Sequence, residues 1–132
     1  MKRARFALGR LPVGAMNKSE AAYDAHLEAE QRAGRVLWRR FEGIKLRLAD
    51  NTFYTPDFAV LAADGVLECH EVKGYWGDED RTKIKVAADL YPLRFVAVRV
   101  RPKKEGGGWQ REQFGREPES VGTEQASLLE AA

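Results

Sequence analysis

The chain has 132 residues, 44% hydrophobic and 32% charged, the proportions of one soluble globular domain with a single modest core. Its net charge of +2 conceals an asymmetry: residues 1–18 carry Lys2, Arg3, Arg5, Arg10 and Lys18 with no acid, whereas residues 117–132 carry Glu117, Glu119, Glu124 and Glu130 with no base. No apolar stretch approaches the roughly 20 residues that span a bilayer, so no membrane partner is expected, and the lone cysteine, Cys69, excludes both a disulfide framework and a Cys-based zinc site within one chain.

Residues 1–16 read as a flexible basic arm interrupted by Gly9, Pro12 and Gly14. Such an arm suits nucleic acid as well as it suits a solvated start. The same breakers make Phe6 to Met16 a poor signal segment, and with a reduced cysteine in an apolar run this favours a cytoplasmic location. Asn17, with Glu20 three residues later, is a capping-box spacing that opens a helix, and Gly34 closes it. Ala22, Tyr23, Ala25, His26 and Ala29 form its packed face. From Val36 to Leu48 the chain reads as extended, with Ile44, Leu46 and Leu48 alternating with Lys45 and Arg47. Asp50-Asn51 is a turn. Tyr54–Ala62 and Val66–Lys73 are the next two strands, followed by a loop over Gly74–Glu79. A second helix starts at Glu79 or Asp80 and ends before Pro92, and Arg94–Val100 is a last apolar strand. Residues 102–132, with Gly106-Gly107-Gly108, read as a loosely ordered tail in which Trp109 and Phe114 either anchor a partner or fold back. The expected fold is α/β, a central mixed sheet of about four strands flanked by helices, in the order α-β-β-β-α-β, with the domain at residues 17–101.

The connection between the second and third strands acts as a ruler. A two-residue loop, Asp64-Gly65, would put Asp57 and Glu71 on opposite faces of the sheet. A three-residue loop, Ala63-Asp64-Gly65, with Gly65 left-handed, pairs Ala62 with Val66 and sets Asp57 directly opposite Glu71. Lys73, two residues on, shares their face. Three charged groups then gather at the open end of a face that otherwise carries Ala59, Leu61, Leu67 and Cys69. Such a cluster is either an ion network or a metal site.

Pro56-Asp57 followed by Glu71-Val72-Lys73 resembles the active-site signature of the PD-(D/E)xK nuclease superfamily. Glu20 on the first helix, the order of elements and the lysine-bearing second helix extend the resemblance over roughly residues 17–100. Within that superfamily the chain is similar to small, mostly phage-encoded proteins described as endonuclease I or Holliday-junction resolvase relatives. The resemblance implies a restriction-endonuclease-like core in which Asp57, Glu71 and the carbonyl of Val72 hold Mg²⁺ or Mn²⁺. Glu20 either joins them or only caps its helix. Lys73 would orient or help deprotonate the attacking water, giving a 3′-hydroxyl and a 5′-phosphate. Lys83 falls inside the apolar arc of Ile84, Val86, Ala87, Ala88, Leu90 and Tyr91, on a helix that follows the catalytic strand, and it reaches either solvent or the site. Candidate nucleic-acid contacts are Arg81 and Lys85 on the solvated face of that helix, Arg5 and Arg10 on the arm, and Trp76, which either stacks on a base or packs its own loop. His26 and His70 read as structural, and Trp38 as core or interface.

The expected function is metal-dependent hydrolysis of DNA, on branched structures, in the cytoplasm of a bacterial host. Analogy with resolvases that make two symmetric cuts implies a homodimer. The competing expectations are a nucleic-acid-binding protein without catalysis and a structural phage protein whose charged cluster is an ion network.

Overall fold

A computed structural model describes residues 14–74 and 78–118. Helix α1 (Lys18–Arg32) leads into strand β1 (Val36–Phe41). Strands β2 (Leu46–Ala49) and β3 (Thr52–Tyr54) form a separate two-stranded hairpin. Strands β4 (Phe58–Ala62) and β5 (Leu67–Val72), helix α2 (Asp78–Leu90), strand β6 (Arg94–Val100), a 3-10 turn (Lys103–Glu105) and strand β7 (Trp109–Phe114) follow. The main sheet is mixed, in the order β1-β4-β5-β6-β7; β5 and β6 run parallel, joined through α2, and every other pairing is antiparallel. No helix among the described residues is long and apolar enough to cross a membrane.

The α/β class agrees with the sequence reading, but the strand count and order do not. Among the described residues seven strands stand, five of them in the main sheet, where about four are expected. Two backbone devices account for most of the difference. The extended run after Val36 breaks at Glu42-Gly43: Glu42 takes a left-handed φ of 49°, and a Cβ on Gly43 would stand 2.9 Å from Arg40 Cβ. Only glycine allows that bend. The expected strand from Tyr54 to Ala62 breaks at Thr55-Pro56-Asp57, because proline offers no N–H to a ladder. Leu46 and Tyr54 therefore swing off the main sheet and pack as a flap over the α2 side.

Each sheet face buries its own cluster. Tyr23 and Leu27 of α1 pack with Val36, Phe58, Val60, Val96 and Val98; Ile84 and Ala87 of α2 pack with Cys69, Phe95, Ala97 and Phe114, together with the flap. Neighbouring residues on β4, β5 and β6 alternate between these clusters, the period-2 pattern of strands covered on both sides. Trp38 is not core: it is 41% exposed on the edge strand β1, beside Leu37.

The second correction concerns the tail. Residues 109–114 form an ordered edge strand paired along β6 from Phe95↔Phe114 to Val100↔Trp109. Phe114 enters the α2-side core, and Trp109 packs edge-on to Tyr23 at 4.9 Å on the α1 side. Both rings fold back onto their own domain. Residues 119–132 lie outside the described residues, as do Arg5, Arg10 and Trp76. Phe114→Ala should lower unfolding free energy by about 3 kcal/mol in chemical denaturation; an unchanged denaturation midpoint would mean that β7 contributes nothing to the core.

Candidate active site

The β4–β5 loop has the three-residue geometry. Ala62 N–H donates to Val66 O at 3.0 Å, Gly65 N–H to Ala62 O at 2.9 Å, and Gly65 has φ +85°. Asp64 Oδ1 accepts from Val66 N–H at 3.0 Å, which fixes the turn. The register runs from Leu61↔Leu67 to Phe58↔His70, so the next opposed pair is Asp57 and Glu71. Asp57 is held just outside the ladder at both ends. Its carbonyl accepts from Glu42 N–H at 2.7 Å, and its Oδ2 accepts from Val72 N–H at 2.8 Å.

Asp57 and Glu71 meet as a like-charged pair within hydrogen-bonding reach of one another. Glu71 is only 7% exposed. Burial and the facing Glu71 charge push the Asp57 carboxyl up to about 8, with the charge of Glu20 adding to the effect. Burial also raises Glu71, against hydrogen bonds from Tyr54 and Asp57 and the charge of Lys73. Both carboxyls are thus raised, and the pair as a unit keeps a proton above the ordinary carboxylate range. Lys73 Nζ stands 3.9 Å from Glu71 Oε2.

Tyr54, at the end of the flap, donates its hydroxyl to Glu71 Oε1 at 2.7 Å. The sequence reading missed it. It lies three residues before Asp57 on what reads as one continuous strand, and no periodicity reveals that the chain leaves the sheet there. Glu20 is a true capping-box residue: its Oε1 accepts from Asn17 N–H at 2.9 Å, and Asn17 Oδ1 accepts from Glu20 N–H at 2.8 Å. It caps α1 while its charge reaches Asp57. Lys83 is exposed and lines a 230 Å³ cleft with Tyr54, Glu71 and Lys73. Of the other basic candidates, Lys85 is exposed, but Arg81 is tied to β7 by contacts of 3.1 Å to both Glu112 carboxylate oxygens.

His70 belongs to the opposite face. Burial lowers its pKa, and its Nε2 lies 2.7 Å from Glu68 Oε1 while its Nδ1 lies 2.5 Å from the Tyr23 hydroxyl. One tautomer satisfies both contacts: Nε2–H donates to the Glu68 carboxylate, and Nδ1 accepts from Tyr23. Arg94 completes the chain by bonding Glu68, Asp64 and Glu117. Burial works against ionisation of Glu68, yet the hydrogen bonds from His70 and Arg94 hold its carboxyl below the ordinary range. His26 stacks on Tyr23 at 5.5 Å. Both histidines are structural, as the sequence suggests.

Among the described residues no three His, Cys, Asp or Glu side chains converge on one point. The oxygen donors at this end are the Asp57 and Glu71 carboxylates, and Val72 adjoins them, its N–H donating to Asp57 Oδ2. The set fits a hard divalent cation: both side-chain donors are carboxylate oxygens, and a bound cation would offset the charge that buried Glu71 and half-buried Asp57 otherwise crowd together. Set against protein-family models, curated proteins and solved structures, the chain has no significant match.

The pair makes stability depend on pH. An unfolded aspartate titrates near about 4; folded Asp57 keeps its proton to about 8. Over that window the folded state binds more protons, so this contribution is full below the lower value and is lost as pH rises through the upper one. In metal-free buffer, Asp57→Asn should therefore gain melting temperature over the parent chain progressively from pH 5 to pH 8. A difference that stays flat or shrinks over that range would contradict the assignment.

Proposed function

We propose that this chain is a metal-dependent endonuclease of the PD-(D/E)xK type that hydrolyses DNA phosphodiester bonds. One observation carries the reading: the like-charged pair of half-buried Asp57 and buried Glu71 at the end of a hairpin beside Lys73, with Glu71 and Lys73 lining a cleft. A structural ion network has no use for two contacting carboxylates. The Glu68 cluster illustrates the contrast, since there every buried carboxylate contact is to Arg or His. Perturbed acids facing a cleft are the usual mark of a working site. The antiparallel β4–β5 hairpin, the parallel crossover through α2 to β6 and Glu20 at the start of α1 support the same superfamily.

Asp57, Glu71 and the carbonyl of Val72 would hold Mg²⁺ or Mn²⁺, with Glu20 close enough to bias the site electrostatically. The chemistry supplied by such a bound ion is neutralisation of phosphate charge and acidification of the attacking water. Tyr54 holds Glu71 in place, so that its second oxygen faces Lys73. The Lys73 ammonium orients the water and stabilises negative charge as the water oxygen bonds to phosphorus and the 3′ oxygen departs. Lys83, at the mouth of the cleft, meets the phosphate backbone. The reading places the protein with its DNA substrate in a bacterial cytoplasm, acting on branched or otherwise distorted DNA.

Labelled duplex, single-stranded, flap and four-way-junction DNAs should be cleaved only with Mg²⁺ or Mn²⁺. Asp57→Ala and Lys73→Ala should each lose at least about a hundredfold in rate. Absence of cleavage of every substrate by the parent chain, with DNA binding unchanged in both variants, would favour a binding protein without catalysis.

A further inference from the structure

The two faces of the flap differ in character. Leu46 pairs with Tyr54 and both are buried, whereas Arg47 pairs with Phe53 and both are exposed. Lys45, two residues before Arg47, stands on the exposed side as well, its ammonium 4.5 Å from the centre of the Phe53 ring. The outer face thus carries an aromatic ring with one cation over it and another opposite it. Nothing in the reaction described above uses this face. Resting on the nuclease reading, we propose that the outer face of the flap is a DNA-binding surface: Phe53 stacks on a nucleoside of the cleaved strand, and Lys45 and Arg47 take the flanking phosphates.

Chemistry, position and anchoring favour that ligand. An aromatic ring stacks on any base, and cations beside it meet the attached phosphates. Phe53 keeps 42% of its surface exposed with the lysine in place, and among the described residues Lys45 forms no ion pair. Asp50, an acid at the hairpin turn, stands 4.0 Å from Arg47 with its side chain in solvent, so that contact yields readily to phosphate. The face also leads into the candidate site. Phe53 lines the 230 Å³ cleft together with Glu71, Lys73 and Lys83, so a strand with one phosphate at the carboxylate pair passes the ring. The inner side of the hairpin is tied down on both strands: Tyr54 donates to Glu71 Oε1, and the Tyr91 hydroxyl donates to the Arg47 carbonyl at 2.6 Å. The outer face is therefore held at a set distance from the pair before any ligand arrives. An acidic peptide would match the same cations, but it brings no phosphate to the carboxylates, so the position of the face selects nucleic acid.

The test measures binding of a labelled forked DNA over a range of salt concentrations in EDTA, where no cleavage occurs. Lys45→Gln and Arg47→Gln should each weaken binding and lower the slope of log Kd against log salt by about 0.7–0.9. Phe53→Leu should weaken binding at least about fivefold with the slope unchanged; circular dichroism checks its fold, and the two cation variants decide the matter if it does not fold. Arg32→Gln makes the same change of charge at the far end of α1, where the side chain is exposed, and its affinity should stay within about twofold of the parent chain. A folded Phe53→Leu of parental affinity, unchanged slopes in the two cation variants, or equal weakening by Arg32→Gln would each overturn the surface, even in a protein that cleaves DNA. Flap-dependent binding in a protein that cleaves nothing would uphold the surface and remove the nuclease reading instead. A parent chain that binds no DNA would overturn both.

Discussion

One residue more or less between β4 and β5 would move Asp57 and Glu71 to opposite faces of the sheet. Everything at the candidate site depends on that loop being three residues long, closed by Gly65 at φ +85° and fixed by the Asp64 side chain. Side-chain direction alternates along a strand, so a slip of one position re-aims every group at once. The register is guarded on both sides. β4 is interior and buried, its Phe58 and Val60 fill the α1-side core, and a β4 slipped by one would turn them to the α2 side and leave the small Ala59 in their place. Hydrophobic packing over the length of the hairpin therefore sets the geometry of two carboxylates at its end.

Strand β5 shows how differently one strand can treat its charges. Glu68 and His70 face α1 and are balanced by Arg94, Arg111 and Tyr23. Glu71 faces the flap and meets another carboxylate. Burial penalises charge on both faces, and on the first face partners offset it. On the second face a proton retained by the pair offsets it. Under the proposed metal-dependent reading, a divalent cation would take the place of that proton. The Tyr54 hydroxyl and the Val72 N–H hold the two carboxyls in fixed positions, Tyr54 on Glu71 and Val72 on Asp57.

The parts of this arrangement legible in the sequence are those set by local rules. The Asn17–Glu20 spacing defines a helix start, Gly65 selects the loop, and the uninterrupted apolar run at β6 leaves no doubt about a buried strand. Strand β7 is hidden because its two apolar residues are Trp109 and Phe114, an odd separation that sends one ring to each face. A strand of that kind has no alternation to detect, and the preceding triple glycine suggests a linker. The flap is hidden for a different reason. Pro56 interrupts a sequence of strong strand formers, and only the folded chain reveals that Tyr54 returns to touch Glu71. The helical pattern puts Lys83 on α2, but its relation to the cleft depends on how α2 docks.

The central claim is that the Asp57–Glu71 pair is built to hold a divalent cation. Calorimetric titration of Mn²⁺ into the purified chain, repeated on Asp57→Asn and Glu71→Gln, tests it without reference to any substrate. The account predicts saturable binding to the parent chain that weakens at least about tenfold in each variant. No binding to the parent chain, or the same affinity in all three proteins, would contradict it.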